Sequence, residues 1–199
     1  MFKIKKMEII TLNKNNITDF ALERNKLLNN SKSDWVFFVD SDEVVSDSLK
    51  SEIINEIVDS KFDAYYVIRK NYFLGKYVGF DKILRLVKKG SGKWERSVHE
   101  VFRLSGGRTG ELKNLLIHNT ANNLNEYISK INIYSKLHAE ANKKEGKVST
   151  VFKIIFYPMA KFVVTYFKSK HVVFSIMQSF HSFLSWSDLW LIQNDDIKK

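Results

Sequence analysis

The chain has 199 residues, no cysteine, one proline and 44% apolar residues, enough for one domain with a helical appendage and too apolar for a disordered or collagen-like polymer. Without cysteine there is no disulfide scaffold, thiol nucleophile, zinc ribbon or iron–sulfur site. The net charge of +10, from 32 Lys and Arg against 22 Asp and Glu, points to an anionic partner, either nucleic acid or an anionic membrane surface.

The charge is unevenly placed. Lys147 to Ser187 holds five lysines and no carboxylate, while acidic residues gather from Asp40 to Asp63. The opening MFKIKKMEIITLNKNN lacks the continuous apolar core of a signal peptide. Val151 to Phe174 is interrupted by Lys153, Lys161, Lys168 and Lys170, so no transmembrane helix is expected. No internal repeat is visible.

Lys6 to Leu12 alternates weakly and reads as a short strand. A helix follows, with Thr18 as its expected N-cap. Ala21, Arg24, Asn25 and Leu28 fall on one face of it, which places a polar pair on the core-facing stripe. Taken alone, that pair reads as a snorkelling arginine and an edge-exposed asparagine. Trp35-Val36-Phe37-Phe38-Val39 is a buried central strand of the kind found in parallel sheets. A second helix is capped near Ser46 and turns Leu49, Ile53, Ile57 and Val58 inward. Asp63–Arg69, Ile83–Val87, Val98–Leu104 and Glu111–His118 read as four further strands, with glycines such as Gly75 and Gly107 marking turns. Asn123–Lys144 is the clearest helix, with Asn123 and Glu126 at capping-box spacing and Gly146 as its stop. Its apolar stripe runs through Leu124, Tyr127, Ile128, Ile131, Tyr134 and Ala141. Val151–Phe167 is a further helix with Lys153, Lys161 and Lys168 on one flank. Val151, Ile155, Met159, Phe162 and Tyr166 line another. Two readings stand for it: a helix lying in a membrane interface, or one packed on the domain with a solvated lysine face.

The acidic run after the buried strand is the strongest local signal for chemistry. Asp40 and Asp42 stand at i and i+2 where open α/β sheets bind ligands. Carboxylates so close repel one another unless a cation or a basic group is present. Oxygen ligands favour Mg²⁺, Mn²⁺ or Ca²⁺. The alternative is a solvated loop leading into a helix cap. An EF-hand is excluded, since Val45 stands where its glycine must be and Ser51 where its glutamate must be. His99-Glu100 begins like a zinc-protease motif, but Arg103 replaces the second histidine. Two readings remain for the pair: strand residues, or a general base at Glu100 with His99 beside it. His118 closes an apolar strand, and becomes a metal-ligand candidate only if the fold brings it to Asp42.

The run FALERNKLLNNSKSDWVFFVDSDEVVSDSL, followed in order by AYYVIRKNYFLGK, ILRLVKK, VHE, LLIHN and a Tyr- and Lys-rich helix, resembles family-2 glycosyltransferases of the GT-A fold. The resemblance is greatest to the branch that includes lipopolysaccharide-core glucosyltransferases, and it covers about residues 10 to 190. It implies an α/β fold, a partial GT-A (Rossmann-like) mixed sheet with flanking helices. Residues 1–122 would form a truncated catalytic core. Residues 123–199 would form a C-terminal helical, basic amphipathic extension.

The resemblance further implies a nucleotide-sugar donor, a glycan or lipid-linked acceptor and inversion at the anomeric carbon. Asp40 and Asp42 match the family's D-x-D, with Asp42 as direct ligand of Mg²⁺ or Mn²⁺ and Asp40 reaching the ribose or the metal shell. Arg24 and Asn25 match an Arg-Asn pair lining the nucleotide site, and Arg85 of ILRLVKK joins the donor-binding set. Glu100 would take the acceptor proton, and His118 is a metal ligand by position. The family's opening βαβ unit, about 60 residues of sheet on ordinary domain anatomy, has no counterpart before Asn13. The expectation is therefore either an active enzyme or an inactive or split module whose partner chain supplies that half. The basic tail is expected to hold the chain on the cytoplasmic, inner face of the cell membrane. Nucleic acid is not an expected partner, because the lysines do not interleave with aromatics on one recognisable module.

Overall fold

The computed structural model describes residues 7–12, 17–97 and 100–195. The described elements, in chain order, are β1 (Met7–Leu12), α1 (Phe20–Asn30), β2 (Trp35–Asp40), β3 (Glu43–Val45), α2 (Asp47–Val58), β4 (Ala64–Phe73), β5 (Lys76–Lys88), β6 (Gly92–Glu95), β7 (Val101–Leu104), β8 (Thr109–Glu111), β9 (Leu116–Asn119), α3 (Leu124–Lys144), α4 (Val151–Ser169) and α5 (Val172–Asp195). They divide into a first unit, Met1–Asn71 with Phe80–Asn119, and a second, Tyr72–Gly79 with Thr120–Lys199.

In the first unit the apolar run of β2 organises everything else. Its side chains alternate between two cores, as the period of a strand requires. Trp35, Phe37 and Val39 pack with Leu49, Ile53 and Ile57 of α2 and with Tyr65, Val67, Leu86, Leu112 and Leu116. Val36 and Phe38 pack on the other side with Ala21 and Leu28 of α1, Trp94 of β6 and Phe102 of β7. The strand is therefore fully covered, and the expected mixed sheet with flanking helices is present. The sheet order is β1-β2-β5-β4-β9-β3, with β8 added to β4, and β6 and β7 form a separate two-stranded ribbon. β2 runs parallel to β1 and antiparallel to β5. An all-parallel sheet is not needed to bury a strand on both faces; a helix on each side suffices.

Several expectations are corrected. The N-cap of α1 is Asp19, whose carboxylate accepts from the Leu22 N–H at 2.9 Å, and not Thr18. Val58, at 57% exposure, faces solvent at the end of α2. Glu111–His118 is two strands, because Glu52 of α2 accepts from the Lys113 and Asn114 N–H groups at 2.7 and 2.8 Å and bends the chain between β8 and β9. The expected strand Val98–Leu104 starts at Val101, and Val98 and His99 lie outside the described residues. The short strands β3 and β6 carry no apolar alternation long enough to predict.

In the second unit the tip of the β4–β5 hairpin joins the C-terminal helices. Leu74 and Gly75 turn the hairpin at φ 50° and 75°, the two positive φ values of a type I′ turn. Leu74 tolerates this conformation while its N–H donates to Ala121 O at 3.3 Å. Its side chain packs with Phe73, Val78, Tyr127, Ile131 and Met177. Asn123 caps α3 as expected, accepting from the Glu126 N–H at 2.9 Å, but the Glu126 carboxylate answers to Asn122 N rather than to the cap itself. On α3, Tyr127, Ile131 and Ala141 are buried, while Leu124, Ile128 and Tyr134 of the expected stripe are exposed. No separate helix was expected where α5 lies.

Replacing Phe37 by Ala should cost about 3–5 kcal/mol, and Val58→Ala should stay within about 0.5 kcal/mol. Urea unfolding of the two variants checks this. Equal losses would mean that the inward face of the first unit is misassigned.

Candidate functional site

Asp40 ends β2, and Leu12 of β1 is its register partner. A carboxylate at this strand end, with Asp42 and Glu43 close behind, needs positive charge nearby. Arginines supply it. Arg24 is 1% exposed and does not snorkel to the surface. Its guanidinium lies 5.2 Å from the Phe38 ring centroid and 5.0 Å from that of Trp94. From there it donates through Nη2 to Asp40 Oδ1 and through Nε to Glu100 Oε1, both at 2.7 Å. One side chain thus ties the end of β2 to the segment entering β7.

The pairing continues through the sheet. Arg85 Nη2 donates to Asp40 Oδ2 and, at 2.7 Å, to Glu43 Oε1. Glu43 Oε1 also accepts from Arg69 Nη1 at 2.9 Å, and its Oε2 accepts from the Asp40 N–H at 2.9 Å. Arg69 grips Asp81 with two bonds, Nε to Oδ1 at 3.0 Å and Nη2 to Oδ2 at 2.6 Å, the fork geometry that suits a carboxylate. Asn71 Nδ2 donates to Asp81 Oδ1 at 2.9 Å, and Asn71 Oδ1 lies 2.7 Å from His118 Nδ1. His118 Nε2 lies 3.5 Å from Asp42 Oδ2. The run Glu100–Arg24–Asp40–Arg85–Glu43–Arg69–Asp81–Asn71–His118–Asp42 is therefore unbroken.

The antiparallel register of β3 with β9, Glu43 opposite His118, brings the histidine to Asp42. Asn71 presents its oxygen, an acceptor only, to His118. That bond places the proton on Nδ1 and turns Nε2 toward Asp42. A metal-binding histidine is commonly oriented in this way, by an acceptor on its other nitrogen. Asp42 and His118 together therefore fit a divalent cation. Asp40 is placed differently: both of its oxygens bond to guanidiniums. Among the described residues no group of three or more His, Asp or Glu side chains is arranged to hold a metal, so other ligands would have to come from substrate or water.

Burial raises the Asp40 carboxyl, but Arg85 and Arg24 outweigh it and hold the pKa at about 2. Burial likewise raises Asp81, and the bonds from Arg69 bring it below its ordinary value. Arg85 would be lowered by burial, yet Asp40 and Glu43 raise it above its ordinary value. Arg24 Nη1 and Arg85 Nε are buried without a hydrogen-bond partner among the described residues.

Asn25 is engaged in scaffolding. Its amide donates to Trp94 O and accepts from the Trp94 N–H, both at 2.8 Å, fixing β6 to α1. The sequence reading missed Glu43, Arg69, Asn71 and Asp81 as members of the cluster. One signal was present: Tyr65, Val67, Arg69 and Asn71 share strand parity, so the arginine and the asparagine follow two core residues on one face.

The model of the family described as "Glycosyl transferase family 2" matches residues 3–123, more than half of the chain. A lipopolysaccharide core biosynthesis glycosyltransferase, LpsC, of Rhizobium meliloti (strain 1021) is 28% identical over 159 residues. That alignment covers 75% of this chain and 58% of the relative, so the chain spans less than two thirds of the relative's length.

Arg24→Ala would leave Asp40 and Glu100 each short of a buried partner, and should cost about 3–5 kcal/mol in urea unfolding. A loss below the error of the measurement would mean that the pairing is not stabilising. The depressed pKa of Asp40 also sets a pH window. Its contribution to stability is complete above its unfolded value of about 4 and is lost as pH falls through the folded value of about 2. The unfolding midpoint should therefore drop between those pH values, and the drop should be smaller in Asp40→Asn.

Proposed function

Because the chain belongs to glycosyl transferase family 2, we propose that it transfers a sugar from a nucleotide-sugar donor to a glycan or lipid-linked acceptor of the cell surface, with inversion at the anomeric carbon. The name of its relative suggests the lipopolysaccharide core as the acceptor class. The observation that carries the reading is that Glu100, Arg24 and Asp40 meet at one strand end and are joined to His118 and Asp42 by continuous contacts.

In the proposed step the acceptor oxygen bonds to the anomeric carbon as the bond from that carbon to the diphosphate breaks. The electron pair leaves with the diphosphate, and the hydroxyl proton passes to the Glu100 carboxylate. Arg24 orients Glu100 by donating from Nε to its Oε1. Asp42 and His118 would hold Mg²⁺ or Mn²⁺, whose chemistry there is Lewis-acid relief of charge on the leaving diphosphate. Asp40 keeps Arg24 and Arg85 in place on the donor side. The buried, unpartnered Nη1 of Arg24 fits an anionic donor group arriving beside it. Asn25 acts at one remove, by anchoring β6 under Arg24.

Calorimetric titration with uridine diphosphate, with and without Mn²⁺, tests the donor half. Binding should require the metal and should be lost in Asp42→Ala. Metal-independent binding, or full binding by that variant, would overturn the assignment of Asp42. Glu100→Gln should bind the nucleotide normally while transfer falls about 10²–10⁴-fold. Unchanged transfer would remove Glu100 from the base role.

A further inference from the structure

Beside the apolar cluster of Tyr127, Ile131 and Met177, the second unit exposes much apolar surface on α4 and α5. Small and polar side chains fill the helix contacts: Thr165 of α4 and Ser175 and Ser185 of α5 are buried. Their neighbours are bonded across the same seam. Ser179 Oγ donates to Pro158 O at 2.8 Å, and Ser149 Oγ donates to Trp186 O at 2.7 Å. Ser135 Oγ of α3 donates to Asp188 Oδ2 at 2.8 Å.

The large apolar side chains point outward. Phe152, Phe156, Met159, Val163 and Phe167 make one stripe along α4 at 62, 48, 60, 49 and 66% exposure. Val173, Ile176, Phe180, Phe183 and Trp190 make a second exposed stripe, on the side of α5 away from its buried residues. In water this arrangement forgoes about 25 cal/mol for each Å² of apolar surface left uncovered. In lipid it is the expected one, with small and hydroxyl residues between helices and large apolar residues toward the acyl chains.

Charge selects the occupant. Lys147 to Ser187 contains five lysines and no carboxylate. Lys161 and Lys168 are exposed on α4, on the side turned away from the stripe, and among the described residues no carboxylate pairs with either. A second copy of this segment would bring five more lysines close, with no carboxylate to offset them. An anionic lipid surface would attract this positive segment while burying the stripes. No helix of the described residues is long and apolar enough to cross a membrane, and lysines recur along the whole of α4, so the helices lie in the plane of the surface.

We propose that the outward apolar stripes of α4 and α5, in a segment charged by lysines alone, dock this chain on an anionic phospholipid bilayer. The proposal is independent of the donor chemistry, because its test reads vesicle binding and not transfer. The full chain should co-sediment with phosphatidylcholine vesicles that contain phosphatidylglycerol, and much less with pure phosphatidylcholine. The double variant Phe156→Glu, Phe167→Glu should lose at least about tenfold in binding. Lys161→Ser and Lys168→Ser should each lose about fivefold, on the anionic vesicles only. All four positions are exposed, and circular dichroism checks that the fold is kept. Failure of the wild-type chain to bind would overturn the proposal, as would binding indifferent to lipid charge. So would a dimer that Phe156→Glu dissociates while vesicle binding stays the same, since the face would then belong to a second copy.

Discussion

The Asp40 carboxylate, shared between Arg24 on one oxygen and Arg85 on the other, is the contact on which the first unit's site depends. It closes the carboxyl end of β2, the strand around which both cores are built. Three carboxylates within four residues, Asp40, Asp42 and Glu43, would drive one another apart or take up protons. Two guanidiniums from separate elements prevent that, and each reaches a further acid, Glu100 or Glu43. Burying such groups is costly, and the cost is met only when nearly every charge finds a partner. The alternation of acid and base across α1, β2, β3, β4 and β5 satisfies that condition.

The same arrangement places the two aspartates of Asp40-Ser41-Asp42 differently. Asp40 is anchored, with both oxygens committed to arginine. Asp42 lies beside an imidazole whose other nitrogen is oriented by Asn71 and Asp81. A rigid, charge-balanced support next to a group able to meet a ligand is what preorganised catalysis requires. The two ends of the network, Glu100 and Asp42, are the two residues assigned the proton and the donor in the proposed reaction.

In the second unit a different constraint dominates. A tight helix seam favours small side chains, and many bulky apolar residues of α4 and α5 are exposed. Serine and threonine in the seam satisfy their hydroxyls on backbone carbonyls, as Ser179 does on Pro158. The consequence is a surface that water covers poorly, in a segment charged by lysines alone, and the lipid-docking proposal follows from that pairing of features.

Local pattern was enough to find the αβ unit, the buried strand, the caps at Ser46 and Asn123 and the acidic run that follows a strand end. Each of these rests on interactions within a few residues: apolar periodicity, side-chain capping, and a charge run after an apolar run. Local pattern was blind to β3 and β6, which exist only because a distant strand pairs with them, and to the turn that Glu52 imposes between β8 and β9. It also left Arg24 on a core face with no visible reason to stay there. The reason is tertiary: Phe38 and Trp94 flank the guanidinium, and Asp40 and Glu100, 16 and 76 residues away in the chain, complete its bonds. By itself the sequence determined which residue types stand at the strand ends. Only the tertiary structure decided which of them are paired with arginine and which lies beside His118, because a charge's partner is set by distance in space.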